Sequence, residues 1–368
     1  MPPAISQPDV SLYDLGRDEL AGLLDGEPRY RVDQVWQGLY AQHLEPEELS
    51  NVPKALRSTI DELLPAALVP VRESVADRGD TIKQLWALRD GHLIETVIML
   101  YPNRSTVCVS SQAGCAMGCS FCATGQVGFD RHLSAGEIIE QVIRAARRIE
   151  ALSSEKNQGS TKSSHPIDNI VFMGMGEPLA NFDATWTAVE RINGDIGIGA
   201  RHITISTVGV VPGIRRMADE TLPVNLAVSL HAATDRKRDR IAPINKTFPL
   251  RELAKALQHY LRSKSRRISF EWAMIDGVND TPEDAIELSA YALPLRAHVN
   301  LIPLNPTPGY RTRGTAPADI EAFRDQLEEL GVNATVRHTR GSNIDAACGQ
   351  LRAGQPVQLK HPRRRARA

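Results

Sequence analysis

Five cysteines are spaced so that each could have a chemical use. Three form the run Cys115-Ala116-Met117-Gly118-Cys119-Ser120-Phe121-Cys122, a CxxxCxxC pattern, with Cys108 just upstream and Cys348 far downstream. Three thiolates on one loop can hold three irons of a four-iron cluster. The fourth iron is then open to a small molecule with an amino and a carboxylate group. Structural zinc is the competing reading, but it usually draws on paired CxxC or Cys/His spacings and four ligands. The nearest fourth candidate is His132, in a polar stretch. A disulfide framework fits poorly with 368 residues, an odd cysteine count and no apolar signal segment at Met1-Pro2-Pro3. No apolar run reaches membrane-spanning length, so the expected setting is a reducing cytoplasm with no membrane partner. Cys348 sits in Asp345-Ala346-Ala347-Cys348-Gly349-Gln350-Leu351. A lone cysteine often fills space as a small hydrophobe, but this one stands beside a glycine among polar residues. It could pair with Cys108 as nucleophile and resolver.

Other polar residues cluster where strands are expected to end. Gly174-Met175-Gly176-Glu177-Pro178 lets backbone approach a ligand, and Glu177 could bind an ammonium group. Ser206-Thr207-Val208-Gly209, Ser229-Leu230-His231 and Leu304-Asn305-Pro306 would each pass as an ordinary turn if met singly. Phe121 reads equally as a shield for a cluster or as a loop anchor. Glu95, in Ile94-Glu95-Thr96-Val97, reads by itself as a solvent-facing strand carboxylate. The net charge of −1 gives no global hint of nucleic acid. The basic runs at 236–238, 262–267 and 363–367 read as solvated faces or frayed ends.

The elements that must position these residues follow from periodicity. Apolar residues three and four apart predict short helices over 18–24, 31–42 and 54–64. Segments 81–88 and 92–100 are rich in β-formers and flank Arg89-Asp90-Gly91, a hairpin signal. From about residue 105 the pattern becomes strand, loop, helix, repeated, with strands over 106–110, 169–173, 202–207, 224–230, 267–275, 299–303 and 334–338. Ser134 with Glu137 forms a capping box before a helix, and Thr281-Pro282-Glu283 opens another. A helix from 317 to 330 stops at Gly331. Alternation of this kind predicts an α/β fold with a parallel sheet. Periodicity leaves an open sheet and a partial barrel equally possible. Segment 153–166 has no periodicity and reads as an insertion.

Taken together and in order, Cys108-Val109-Ser110-Ser111-Gln112, the cysteine run and segments 169–180, 206–209 and 341–350 resemble the RlmN family. These are radical S-adenosylmethionine enzymes that methylate carbon-2 of adenosine. The resemblance covers roughly 80–355, and the Cfr-like carbon-8 methylases are the nearest alternative. It implies a radical SAM partial (β/α)6 barrel with a small helical N-terminal accessory domain. The division would be 1–78 for the helical, RNA-contacting part, 79–104 for a β-hairpin extension, 105–352 for the core and 353–368 for a basic tail. Cys115, Cys119 and Cys122 would hold one [4Fe-4S] cluster. Gly176, Glu177, Ser206, Ser229, Leu230, His231 and Asn305 would contact S-adenosyl-L-methionine, two molecules being used per turnover. Cys348 would take a methyl group from the first. A radical formed from the second would activate that methyl, Cys108 would release the product through a transient disulfide, and Glu95 would accept a proton. The implied partners are 23S rRNA at the peptidyl transferase centre, tRNA at the position 3′ of the anticodon, and an electron donor such as reduced flavodoxin. A cytoplasmic monomer is expected.

Overall fold

The computed structural model describes residues 10–155, 165–264, 266–305 and 312–353. Most of the 153–166 insertion, Pro306, residue 265 of the 262–267 basic run and the tail from 354 onward lie outside those residues. Helices α1 (Arg17–Leu23), α2 (Arg29–Tyr40) and α3 (Lys54–Leu63) come first. Proline precedes both α2 and α3, where its missing N–H costs nothing. Trp36 stacks on Tyr40 with ring centroids 4.4 Å apart, and its Nε1 donates to Asp195 at 2.9 Å. Arg191 donates to the Tyr13 carbonyl at 2.7 Å. These helices are thus tied to the chain around residue 190 rather than standing alone.

An antiparallel meander follows: β1 (Leu68–Ala76), β2 (Thr81–Leu88), β3 (Leu93–Tyr101) and β4 (Arg104–Cys108). The hairpin expected around Asp90-Gly91 joins β2 to β3, and Gly91 supplies the positive φ of +87°. Strand β1 has no counterpart among the sequence-based expectations. Its Pro70 argues against a strand, and the structure accommodates it at the sheet edge, where the register shifts between Pro70 and Arg72.

The remaining elements are β5 (Gln112–Gly114), α4 (Ala123–Val127), β6 (Phe129–His132), α5 (Ala135–Glu155), β7 (Asn169–Phe172), α6 (Phe182–Arg191), β8 (Ile203–Thr207) and α7 (Val211–Asp219). Then come β9 (Asn225–Ser229), α8 (Asp235–Ile241), α9 (Leu250–Lys264), β10 (Ile268–Met274), α10 (Pro282–Ala292), β11 (His298–Pro303), α11 (Pro317–Glu329) and β12 (Ala334–Val336). The predicted capping box forms, Ser134 Oγ accepting from Glu137 N, and the predicted cap Thr281 accepts from Asp284 N through Oγ1 in a second box. Strands β4 and β7 through β12 are all parallel, in sequential order, continuous with the meander in one ten-stranded sheet. A doubly wound sheet reverses its strand order at a switch point. No reversal occurs here, and the winding is that of a partial barrel wall. Ile170, Ile205, Leu226, Phe270, Trp272 and Leu301 fill the apolar layer, each at most 1% exposed. Among the described residues, no helix is long and apolar enough to cross a membrane.

Glu140 of α5 joins the meander to the parallel half. It is buried, accepts from the N–H groups of Ala67 (2.7 Å) and Leu68 (3.4 Å), and pairs with Arg144 at 3.0 Å. Glu140→Ala strands those donors in a dry environment, and the expected loss is about 3 kcal/mol. The urea midpoint should fall at an unchanged m-value. A loss below about 1 kcal/mol would mean that other contacts hold β1 in place.

Candidate active site

The parallel strands deliver their C-terminal ends to one side of the sheet, where α/β folds carry their chemistry. A cavity of about 970 Å³, open mouth included, lies there. The cysteine loop forms one wall. The ends of β7, β8 and β9 contribute Gly176, Glu177, Ser206, Ser229 and His231, and the terminal loop contributes Cys348. The cysteine loop is closed at its base by the β5–β6 ribbon. Gly114 (φ +74°) sits so tight there that a Cβ would lie 2.1 Å from the Gly128 carbonyl, which instead accepts from Cys115 N.

Cys115 and Cys119 are buried and Cys122 is half-buried. Burial pushes the Cys115 thiol up to about 12, with neighbouring Cys122 adding to the effect. Burial raises Cys119 well above its usual value, with Cys122 and Cys115 adding again, and burial raises Cys122. Three thiols that oppose one another's ionisation in a dry wall are stable as thiolates only with a cation between them. That chemistry fits a bound iron–sulfur cluster. Among the described residues no three His, Cys, Asp or Glu side chains converge as one metal ion would require. A four-iron cluster asks each thiolate to reach a separate iron. Met117, Phe121 and Ile244 pack around Cys119, Val208 and Ala242, giving the loop an apolar shell. Phe121 also lies against His231, ring centroids 4.1 Å apart.

Glu177 is buried beside the cysteine loop. Its oxygens accept from Leu179 N (3.1 Å) and Val208 N (2.8 Å), and its own N–H donates to Gln112 Oε1. Burial outweighs these bonds and pushes its carboxyl up to about 7. His231 has a left-handed backbone (φ 58°), and its Nδ1 accepts from Ala273 N at 2.9 Å. Burial, helped by Arg238, drives its pKa down to about 3, so the ring is neutral with its proton on Nε2. Among the described residues that Nε2 is buried without a protein partner, a donor left for a ligand.

Four predicted residues stand apart from this wall. Leu230 is fully buried with its side chain in the core, while its main chain donates to Glu271 O and accepts from Arg238 Nε and Ala232 N. Asn305 lines an adjoining cavity, and its side chain reaches Cys348 O at 3.5 Å. Cys108 lines that second cavity too. Glu95 lines neither. It is 0% exposed, so the solvent-facing reading of this carboxylate is wrong: the meander turns its side chain inward to Lys83, 2.9 Å away, and to the N–H groups of Arg352 and Ala353. Cys348 is exposed and borders both cavities, together with Met173, Ile302, Arg337 and Leu351. Its loop is held by main-chain bonds: Gly349 O accepts from Ala123 N at 2.7 Å, and Leu351 O accepts from Thr124 Oγ1.

Three residues with no place in the sequence reading of the site help to organise it. Arg238 lies in a run expected to be solvated, yet it is 0% exposed. Its guanidinium donates to the carbonyls of Val208 and Leu230 and to Asn245 Oδ1. The signal was its position three residues before Ile241, on the inward side of α8. Glu271, a lone carboxylate in the apolar strand β10, pairs with Arg337 at 3.1 Å. Arg337 is raised above its usual value because Cys348 and Glu271 outweigh the cost of its burial.

Replacing Arg238 with leucine takes the guanidinium donors from the Val208 carbonyl and Asn245 Oδ1, and one of two donors from the Leu230 carbonyl, which keeps Ala232 N. The expected destabilisation is about 3 kcal/mol or more in urea titration. Arg238→Lys should recover only part, since an ammonium lacks the planar fork. Full recovery by lysine would refute the geometric account.

No family model matches the chain. Among curated proteins, the probable dual-specificity RNA methyltransferase RlmN of Parafrankia sp. is 47% identical over 365 residues, 96% of this chain and 94% of that protein. The dual-specificity RNA methyltransferase RlmN 1 of Myxococcus xanthus is 46% identical, covering 95% of this chain and 96% of its own length. A crystal structure of a radical SAM methyltransferase from Sphaerobacter thermophilus superposes with a TM-score of 0.87 at 46% identity, over 94% of this chain and 99% of that one. With this cavity, cysteine loop and barrel winding, the chain belongs to the RlmN family of radical SAM dual-specificity RNA methyltransferases.

Proposed function

We propose that this chain methylates carbon-2 of adenosine in 23S rRNA and in tRNA, with Cys348 carrying the methyl group and Cys108 releasing the product. One observation carries the reading: Cys348 is exposed at the shared border of two cavities, one walled by the three-cysteine loop and the other by Cys108. A thiol so placed can face a cofactor on one side and a resolving thiol on the other.

Adenine carbon-2 lies between two ring nitrogens, is electron-poor, and cannot attack a methylsulfonium directly. A methyl carrier on the protein removes that obstacle. Cys115, Cys119 and Cys122 would hold one [4Fe-4S] cluster, which supplies an electron to S-adenosylmethionine and so permits radical chemistry at the Cys348 methyl. Glu177, Gly176, Ser206, Ser229 and His231 would bind the cofactor, with Leu230 acting through its main chain and Asn305 from the adjoining cavity. Two cofactor molecules would be consumed per turnover, one as methyl donor and one as radical source, with a reduced flavodoxin as electron donor. Once carbon-2 is bonded to the Cys348 methylene, enzyme and RNA are one covalent body. Attack of the Cys108 sulfur on the Cys348 sulfur forms an S–S bond and breaks the C–S bond. The electron pair of that bond passes to the methylene carbon, which takes up a proton to become the methyl group of the freed RNA. An external thiol then reduces the disulfide for the next turnover. Burial pushes the Cys108 thiol up to about 12, with nearby Cys348 adding to the effect, so at rest Cys108 stays protonated and does not compete for the methyl group. Arg337, which lines both cavities, offsets the charge of a thiolate at either sulfur. Glu95 would accept the carbon-2 proton, and for this Arg352 and Ala353 must first release its carboxylate.

Anaerobically reconstituted protein should form 2-methyladenosine in unmodified 23S rRNA and tRNA, read by nucleoside mass spectrometry. Exclusive formation of 8-methyladenosine would replace the carbon-2 assignment with the carbon-8 one. In the same assay Cys108→Ala should accumulate covalently bound to RNA, and free variant protein with normal turnover would remove Cys108 from the mechanism.

Glu177 gives a pH-dependent expectation. Below about 7 its carboxyl is neutral and is a poor acceptor for the cofactor's amino N–H. Binding of S-adenosylmethionine should therefore tighten as pH rises through 7, while Glu177→Gln binds roughly tenfold or more weakly and loses the part of that slope owed to Glu177. Equal slopes in the two proteins would exclude Glu177 as the partner of the amino group.

A further inference from the structure

Lys83 on β2 and Glu95 on β3 are diagonal neighbours on one face of the meander, since Leu85 stands opposite Glu95 and Val97 opposite Lys83. Both are buried, at 5% and 0% exposure, with Lys83 Nζ 2.9 Å from Glu95 Oε1. A buried ion pair recovers its desolvation cost only when its remaining donors and acceptors are filled. Here one segment supplies the further partners of both groups, while Glu95 Oε1 meets Lys83 as an ion pair without hydrogen-bond alignment. Lys83 Nζ also donates to the Asp345 carbonyl at 3.1 Å, and Glu95 Oε2 accepts from Arg352 N at 2.9 Å and Ala353 N at 3.2 Å. Asp345 and Arg352 are joined in turn by an ion pair of 2.8 Å. The buried pair thus grips both ends of the loop that carries Cys348 near its middle. Asp345 and Ala353 each have φ of 53°, a left-handed backbone that non-glycine residues adopt at a cost. The loop's ends take a shape that the grip sustains.

We propose that the Lys83–Glu95 pair is a latch that fixes where Cys348 stands, and that Lys83 is a positioning residue for methyl transfer. The proposal rests on the reading of Cys348 as methyl carrier. Lys83 lines neither cavity, so its effect on the place of Cys348 passes through the loop, and loop exchange separates that effect from any change at Glu95 itself.

The test compares wild type, Lys83→Met and Lys83→Arg. In cluster-free protein, peptide-level hydrogen exchange over 345–353 should rise about tenfold in the methionine variant, with β7 to β10 unchanged, and return towards wild type in the arginine variant. In reconstituted protein, 2-methyladenosine formed per 5′-deoxyadenosine released should fall about tenfold in the methionine variant, while cofactor cleavage stays within about twofold and arginine restores the ratio. Unchanged loop exchange, or faster exchange across the whole sheet, overturns the latch. Faster loop exchange with an unchanged ratio overturns the positioning role. If wild-type peptides carry no methyl on Cys348, the carrier reading fails instead, and the exchange data still decide the latch.

Discussion

A single buried guanidinium underlies the geometry of the cavity wall beside the cysteine loop. Strand-end loops in a parallel barrel leave carbonyls pointing into a space that must stay dry, and each needs a donor. Arg238 supplies several at once, to Val208, Leu230 and Asn245. Its charge is balanced at one remove, because Asn245 Nδ2 donates to Asp235 and Asp239. Holding Val208 by its carbonyl places the Val208 N–H on Glu177. The same cation helps keep His231 neutral, which leaves the Nε2 proton available to a ligand. The wall is therefore electrostatically coupled from α8 inward.

The terminal loop is a second organising feature. It is stitched to the cysteine loop through Ala123 and Thr124, and to the meander through Lys83 and Glu95. Its thiol stands between two cavities because barrel wall and meander form one sheet, with β3 pairing directly to β4, the strand that ends in Cys108. The two cysteines meet through topology, although 239 intervening residues separate them in the chain.

What the sequence disclosed divides along the range of the interactions. The CxxxCxxC run, the strand-end glycines, the helix caps at Ser134 and Thr281 and the parallel alternation depend on neighbours a few residues away, and the structure has them. Strand β1 escaped because Pro70 is unfavourable locally and is tolerated only through edge position and a register shift. The β5–β6 ribbon escaped because strands of three and four residues have no period to detect. Glu95 and Arg238 looked like surface charges because their partners lie far off in sequence, 12 residues back at Lys83 and 30 back at Val208. The resemblance to a family supplied the list of cofactor contacts. It could not tell that the Leu230 side chain packs in the core rather than in the cavity wall, or that Asn305 belongs to the neighbouring cavity.

The anchors of the terminal loop have a consequence for inheritance. Asp345 O, Cys348 O, Gly349 O, Leu351 O, Arg352 N and Ala353 N are all main-chain atoms, gripped by side chains or backbone elsewhere in the molecule. A lineage could rewrite many letters of this segment, sparing the cysteine and the left-handed glycine beside it, without moving the sulfur. The selective pressure falls on the distant residues that hold the loop. A mutation that displaces the Cys348 sulfur can then lie more than two hundred residues from it.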